Sequence, residues 1–174
     1  GPPRGLRWTC GPEFARSHEH FASMSAMVTA GGRVFYIIDE GLTASVALLP
    51  RWKLIARDAH SGVLLWKRPI ELWEGHLRDF RSGPSDLARR LVAVGDRVYV
   101  TLGYGEPISV LDGVTGEVLK CYEDTAHTQE FAYDAGVLYV AVGEPFGEKT
   151  SRDNEVRLLA VEAATGKTLW TKQI

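Results

Sequence analysis

Two histidines in the segment SHEH could bind a metal ion. His18 and His20 are two residues apart, so on a β-strand both imidazoles would point to the same side. A zinc site typically takes three or four protein ligands. No third ligand is evident near SHEH, so we predict that these histidines lie in a solvated leading loop, with metal binding as the alternative.

Asp39 and Glu40 form a second candidate binding site. They end the apolar run in IIDEG, which is typical of a strand. Carboxylates at the end of an inner strand could bind a cation or act as acid and base. Arg57 and Asp58 could pair with them, although surface ion pairs contribute little. The alternative is an ordinary turn, because neighbouring carboxylates also occur wherever a strand emerges into water.

The sequence contains no convincing pattern for nucleophilic or phosphate chemistry. The segment GYGEP, residues 103–107, has two glycines but no helix pattern after it, as a phosphate-binding loop requires. Ser23, Ser25, His60 and Asp58 are residue types found in hydrolases, yet a nucleophile elbow is lacking. His60 also belongs to an internal repeat whose other copies have valine and alanine at this position. We therefore predict no catalytic residues, and for this segment the absence of enzyme activity is favoured over its presence.

The composition is that of a globular protein without a strong electrostatic preference. The chain has 174 residues, 45% hydrophobic and 24% charged, with a formal net charge of -2. Nucleic-acid binding needs a clustered basic face, and a membrane-spanning helix needs about 20 apolar residues, so neither is predicted. Cys10 and Cys121 form either one long-range disulfide or two partly buried free thiols, and the free thiols are favoured.

The internal repeat supplies the elements that would position these residues. The segments LIARDAHSGVLLW, ISVLDGVTGEVLK and LLAVEAATGKTLW align without gaps. Their glycines are 54 and 50 residues apart, near the repeat length of β-propeller blades. The matching acids and glycines are Asp58, Asp112 and Glu162, and Gly62, Gly116 and Gly166.

Each copy has the pattern of four short strands separated by turns. In the second copy we predict strands at 90–94, 97–102, 107–111 and 117–122, because runs rich in Val, Tyr, Leu and Ile are bounded by Gly and Asp. The pairs Ala56 with Trp66 and Ala160 with Trp170 suggest how such sheets stack. The small alanine leaves room, and the indole fills the space against a neighbouring sheet.

The pattern Ala-x-Asp-x-x-x-Gly-x-x-x-Trp resembles the tryptophan-docking motif of the PQQ-like (quinoprotein-like) β-propeller repeat. The first copy has the full motif, and the third departs from it only by Glu162. The second copy has Val110 and Lys120 where alanine and tryptophan are expected. The chain is also similar to segments of large bacterial propeller proteins, and the resemblance extends from Ser25 onward.

The resemblance implies an all-β fold of about three four-stranded antiparallel blades in a partial ring. Since such rings close with seven or eight blades, we expect a fragment of a longer chain or an arc that a partner completes. The expected parts are a leading segment at 1–24 with the outer strand of a preceding blade, blade 1 at 25–70 with an insert at 42–52, a connecting insert at 71–88 with a short helix at about 72–80, blade 2 at 89–124 and blade 3 at 125–174.

Three functions are compatible with this fold. The leading hypothesis is a non-catalytic scaffold segment that binds a protein or ligand within a larger protein. The alternatives are a fragment of a PQQ-dependent dehydrogenase and a carbohydrate- or peptide-binding accessory module. In quinoprotein dehydrogenases the family implies a quinone on the propeller axis with calcium, often beneath a disulfide of adjacent cysteines. This sequence has no adjacent cysteines, so we predict no cofactor, with PQQ and calcium as the alternative.

The expected partners follow from the same resemblance. They are the remaining blades of the parent chain or a self-associating copy, and beyond them a protein partner. The resemblance also favours an extracytoplasmic location, in the periplasm or cell envelope.

Overall fold

The computed structural model of the chain describes residues 5–10, 24–41, 51–70, 89–143 and 156–174. Several sequence predictions lie outside these residues. They are the loop with His18 and His20, the short helix at 72–80 and most of the insert at 42–52.

Within the described residues, twelve strands form three antiparallel sheets of four strands each, and in every sheet the strands follow one another in chain order. Sheet 1 contains β1 Met24–Ala30, β2 Arg33–Asp39, β3 Trp52–Asp58 and β4 Leu64–Pro69. Sheet 2 contains β5 Leu91–Val94, β6 Arg97–Thr101, β7 Ile108–Asp112 and β8 Val118–Tyr122. Sheet 3 contains β9 Thr128–Asp134, β10 Val137–Val142, β11 Arg157–Glu162 and β12 Thr168–Gln173.

These sheets agree with the all-β fold predicted from the repeat. The four strands of sheet 2 begin and end within one residue of the predicted positions. One difference concerns Trp52, which the sequence places in the insert of blade 1. It is the first residue of β3 and pairs with Asp39, because its indole is buried in the core beside sheet 1.

The period-two alternation of the strands gives sheet 2 two apolar faces. Val98 and Val100 belong to a core shared with sheet 1, whereas Tyr99 belongs to a core shared with sheet 3. Successive side chains of a strand point to opposite faces, so sheet 2 is covered on both sides. The first core also contains Phe35, Ile37, Leu54 and Leu111, and the second also contains Ile108, Val110, Phe131, Leu138, Val140, Leu159 and Val161.

The first strands of the sheets lie side by side. β1 lies beside β5, and β5 lies beside β9. The last strand of each sheet is at its opposite edge. The three sheets therefore form a fan with its inner strands together, which is the arrangement of successive propeller blades.

The described part of the chain contains no helix with the length and apolar character to cross a membrane. Both cysteines are free thiols. Cys121 is partly buried, as expected, and burial raises its pKa. Cys10 differs from the expectation because it is exposed, although its sulfur lies 3.8 Å from the Tyr36 hydroxyl.

Candidate functional site

Three turns of the same shape join the third and fourth strands of the sheets. They comprise residues 58–62, 112–116 and 162–166, and we call them the acidic turns. In each, the glycine N–H donates to the carbonyl of the acidic residue four positions earlier, over 2.9, 2.8 and 2.7 Å, respectively. The glycine φ angles are 75°, 76° and 77°, a left-handed conformation that glycine adopts at little cost. The repeat in sequence is therefore a repeat in backbone geometry.

The aspartate side chains stabilise the first two acidic turns from within. The Asp58 carboxylate accepts the backbone N–H groups two and three residues later over 3.0 and 2.7 Å. Asp112 accepts the equivalent groups over 2.7 and 3.0 Å. These bonds, above all the one from the residue three positions later, lower the pKa of both carboxyls. In the third turn, Glu162 accepts the hydroxyl of Thr165.

An aromatic ring from an earlier part of the chain lies on each acidic turn. The ring donates to the carbonyl of the residue that follows the acid, so the contact is specific to this turn geometry. The three bonds run from Trp8 to Ala59 over 3.1 Å, from Trp66 to Gly113 over 3.1 Å and from Tyr122 to Ala163 over 2.6 Å.

The last glycine of each turn leaves the space that the ring occupies. A Cβ added to Gly116 would lie 2.7 Å from Cδ2 of Trp66, and one added to Gly62 would lie 2.6 Å from Cδ2 of Trp8. Carbon atoms that are not bonded to each other prefer separations of about 3.5–4.0 Å. Glycine is therefore required here both by its φ angle and by the close approach of the indole.

Trp66 links sheet 1 to sheet 2. It lies on β4, and the turn that it contacts belongs to sheet 2. From the same strand, Nη1 of Arg68 donates to the carbonyl of Gly116 over 2.9 Å. The indole also packs against Phe35, with ring centroids 5.9 Å apart. One edge strand thus supplies two hydrogen bonds and a ring contact to the interface between the sheets.

Trp66 belongs to a row of cross-strand partners in which one small residue lies between two large ones. Ala56 is fully buried and pairs with Phe35 on one side and Trp66 on the other. An alanine at this position lets the two rings meet above it. The equivalent rows are Tyr99, Val110 and Lys120 in sheet 2, and Tyr139, Ala160 and Trp170 in sheet 3.

Sheet 2 contacts its neighbour differently from sheet 1. Lys120 has the position of Trp66, and its ammonium group donates to the carbonyl of Thr165. The ring on the third acidic turn comes from Tyr122, two residues further along β8. Burial raises the pKa of Tyr122 to about 12. Sequence reasoning missed Tyr122, although an aromatic residue two positions after Lys120 lies on the same face of a strand.

Trp170 does not have the environment expected from the repeat. Its side chain is 44% exposed and packs beside Tyr139, with ring centroids 6.3 Å apart. Trp66 differs because sheet 2 covers it, whereas the described residues contain no sheet beyond sheet 3. Trp66 thus lies between two sheets, whereas Trp170 lies at the edge of sheet 3 beside Tyr139.

The structure places Asp39 inside the protein. It is 1% exposed, and one carboxylate oxygen accepts the N–H groups of Gly41 and Arg51, each over 2.7 Å. These bonds hold the two ends of the chain segment between β2 and β3. Asp39 thus stabilises the backbone at Gly41 and Arg51.

Glu40 lies next to two lysines. Its carboxylate is 2.9 Å from Lys53 and 2.5 Å from Lys67. Burial raises the pKa of Glu40, but the hydrogen bonds from the lysines outweigh burial and lower the pKa overall. Arg57, expected as a partner of these acids, donates instead to the Tyr36 hydroxyl and the Gly62 carbonyl.

These contacts do not fit a calcium and quinone centre at Asp39 and Glu40. A calcium site needs several oxygen ligands that converge on one point, whereas these carboxylates face backbone N–H groups and lysines. In the described part of the chain, no group of three His, Cys, Asp or Glu side chains could hold a metal ion.

Solved structures of several kinds of enzyme resemble this chain. A europium-containing methanol dehydrogenase aligns over 97% of this chain and 27% of its own, with 15% identity and a TM-score of 0.56. The quinohemoprotein alcohol dehydrogenase from Comamonas testosteroni aligns over 97% and 23%, with 15% identity and a TM-score of 0.56. The acylaminoacyl peptidase from Pyrococcus horikoshii aligns over 88% and 25%, with 10% identity and a TM-score of 0.58.

This likeness concerns the fold. No protein-family model matches the sequence, and no curated protein sequence matches it significantly. The chain spans about a quarter of the length of these three structures. Both dehydrogenases are β-propeller proteins. The predicted fold, about three four-stranded antiparallel blades of a partial β-propeller in an open arrangement, is confirmed.

Proposed function

We propose that this chain is a segment of a larger propeller protein and acts as a non-catalytic scaffold that binds a protein or a ligand. The observation that carries the proposal is the ring on each acidic turn, which connects successive parts of the chain in series. A hydrogen bond, a close ring contact and an apolar core act together at the interfaces between sheets. Such a rigid frame is suited to holding loops in fixed positions for binding.

The docking role of the motif is part of this proposal. Trp66 supports it through its bond to Gly113 and its contact with Gly116. Trp8 supports it in the same way on the turn of sheet 1, so we propose that the segment around Trp8 is the outer strand of a preceding blade.

We further propose that a following blade of the same parent chain covers sheet 3. Tyr139 and Trp170 are both more than one-third exposed on the face of sheet 3 that points away from sheet 2. Trp66 shows what such an indole contacts when a sheet comes after it. The covering blade would therefore present another acidic turn, with its glycine beneath the indole of Trp170.

Light scattering after size exclusion tests this part of the proposal. The chain without a following blade should self-associate, because exposed apolar sheet faces associate in water. Trp170→Lys should reduce the association. Val63→Lys is the matched control. Val63 is also exposed, but it follows the acidic turn of sheet 1 and does not belong to sheet 3. A chain that stays monomeric at high concentration, or two variants with equal effects, would contradict the proposal.

A reconstitution assay tests the absence of catalysis. Purified chain is mixed with PQQ, calcium, an alcohol and an electron-accepting dye. We expect no dye reduction and no bound chromophore, because the candidate carboxylates already have structural partners. Alcohol-dependent dye reduction would refute the scaffold proposal and support the dehydrogenase fragment.

The dehydrogenase fragment is the second candidate. It is favoured by the alignment of two dehydrogenase structures over 97% of the chain, but a peptidase structure aligns over nearly as much. The accessory module and the extracytoplasmic location also remain predictions. Melting temperatures measured with sugars and peptides test the accessory module, since a ligand well above its Kd raises stability.

A further inference from the structure

The two interfaces between sheets differ at two equivalent positions. Trp66 of sheet 1 corresponds to Lys120 of sheet 2, so the second interface lacks an indole at this position. Asp96, in the β5–β6 turn, corresponds to Gly136 in the β9–β10 turn. The second interface therefore lacks the carboxylate that the first one has, and the ring on its acidic turn is the Tyr122 phenol in place of an indole.

In the first interface the carboxylate has a clear partner. Arg33, the first residue of β2, lies 2.7 Å from Asp96 of sheet 2. Arg97 is the first residue of β6 and pairs with Asp112 as Arg33 pairs with Asp58. Because Gly136 has no side chain, Arg97 cannot form the same ion pair with sheet 3. The guanidinium lies instead 3.5 Å from the carboxylate of Asp112 in its own sheet.

A cleft of about 780 Å³ lies at this place between sheets 2 and 3. Both of the changed positions, Lys120 and Gly136, line it, and so does Arg97. The volume is within the range of about 300–1,000 Å³ that is common for small-molecule sites. The cleft thus lies where Lys120 replaces the indole and Gly136 replaces the carboxylate of the first interface.

The walls of the cleft combine aromatic rings with charged side chains. Tyr99 and Tyr133 line it with their rings stacked, 6.1 Å between centroids and 27° apart. The charged residues in the lining are Arg97 and Lys120 against Glu162. Flat aromatic walls favour a planar ring, and a guanidinium favours a carboxylate that it can bind through two N–H groups.

We propose that this cleft binds a small planar aromatic carboxylate. The ring of the ligand lies against the tyrosines of the cleft, beside the Tyr122 ring that covers the third acidic turn, and its carboxylate binds Arg97 as Asp96 binds Arg33. The inference goes beyond the scaffold role and does not depend on it, because it concerns one cleft that residues of sheets 2 and 3 line.

Calorimetric titration of the unaltered chain is the first test, with indole-3-acetate as the probe. Indole supplies the ring alone and acetate supplies the carboxylate alone. We expect binding of indole-3-acetate, with at least about tenfold weaker binding of either part, since each contributes a separate set of contacts. Amide shifts in NMR spectra should change at Gly136 and Tyr133. The absence of heat and of shift changes at millimolar probe would overturn the proposal.

A matched pair of substitutions tests the role of the guanidinium. Arg97→Gln should weaken binding about tenfold or more, because a charge-assisted hydrogen bond is lost. Arg33→Gln removes the equivalent residue of the first interface and should leave the affinity within about twofold. Equal affinities for Arg97→Gln and the unaltered chain would refute the site.

Lys120→Trp provides a further variant, with circular dichroism as the check on folding. Its indole should occupy the cleft and abolish binding of the probe. If Arg97→Gln fails to fold, the role of Arg97 is tested by the affinities of the three probes for the unaltered chain. Equal affinities for indole and indole-3-acetate would contradict that role.

Discussion

Replacing Trp66 by alanine should destabilise the protein far more than replacing Trp170. The two residues have equivalent positions on β4 and β12. Trp66 lies between two sheets and donates a hydrogen bond to Gly113, whereas Trp170 is 44% exposed. The comparison thus isolates the contact with the next sheet from the intrinsic effect of a tryptophan at an edge strand.

The size of the effect follows from the contacts. A covered indole buries about 150–250 Å². Truncation of Trp66 to alanine removes about 130 Å² of this area, which at about 25 cal/mol per Å² gives about 3 kcal/mol. The hydrogen bond to Gly113 adds about 1 kcal/mol. We therefore expect Trp66→Ala to cost about 4 kcal/mol and Trp170→Ala about 2 kcal/mol, because Trp170 is 44% exposed and donates no hydrogen bond to a further sheet among the described residues.

Urea unfolding followed by far-ultraviolet circular dichroism measures this difference without relying on tryptophan fluorescence. With an m-value of about 2 kcal/mol per molar urea, the midpoint should fall by about 2 M for Trp66→Ala and by about 1 M for Trp170→Ala. Similar losses for the two variants, or a loss below about 1 kcal/mol for Trp66→Ala, would refute the assignment of Trp66 to the interface.

Three more predictions use the same unfolding measurement. Gly116→Ala should cost more than about 1 kcal/mol, because its φ is 76° and the added Cβ would meet the indole; an unchanged midpoint would contradict this. The contribution of Tyr122 to the free energy of unfolding should be fully present below pH 10 and should be lost as the pH rises towards 12, because the pKa of Tyr122 is about 12 in the folded and about 10 in the unfolded protein. Tyr122→Phe should reduce this decline, and an equal decline in the variant would contradict its cause. Val110→Ala combined with Lys120→Trp should be more stable than either single variant, since it rebuilds the row of a ring beside alanine; simple additivity would argue against it.

The fold could be predicted from the sequence because its signals are local and repeated. The acidic turns use Asp, Gly and Thr within five residues, and the strands between them follow from alternation and turn residues. Three aligned copies then indicated the number of sheets. Neither step requires knowledge of how the sheets are placed.

The contacts between sheets were less predictable. Lys120 and Tyr122 point to the same face of β8 and both reach the third acidic turn, and the sequence does not show which carbonyl group each side chain contacts. The exposure of Trp170 depends on whether another sheet packs against sheet 3. Similarly, Asp39 was expected at a functional edge, but its two backbone hydrogen bonds connect residues that are 10 apart in sequence, Gly41 and Arg51.

The cleft between sheets 2 and 3 could be found only from the structure. The replacement of Trp66 by Lys120 is visible in the aligned repeat. The significance of Gly136 is not, because the sequence does not show that Asp96 pairs with Arg33 of a different sheet. The two changes become one feature when the interfaces are compared in space.

The stacking of sheet 1 on sheet 2 is tested most directly by the distance between the Trp66 indole and Gly116 in solution. We expect strong nuclear Overhauser effects from the indole ring protons to the Gly116 Hα protons, because only glycine lets the ring approach this closely. We also expect slow exchange of the indole N–H, which donates to Gly113. An indole with no Overhauser effect to Gly116 and rapid N–H exchange would contradict the stacking of the two sheets.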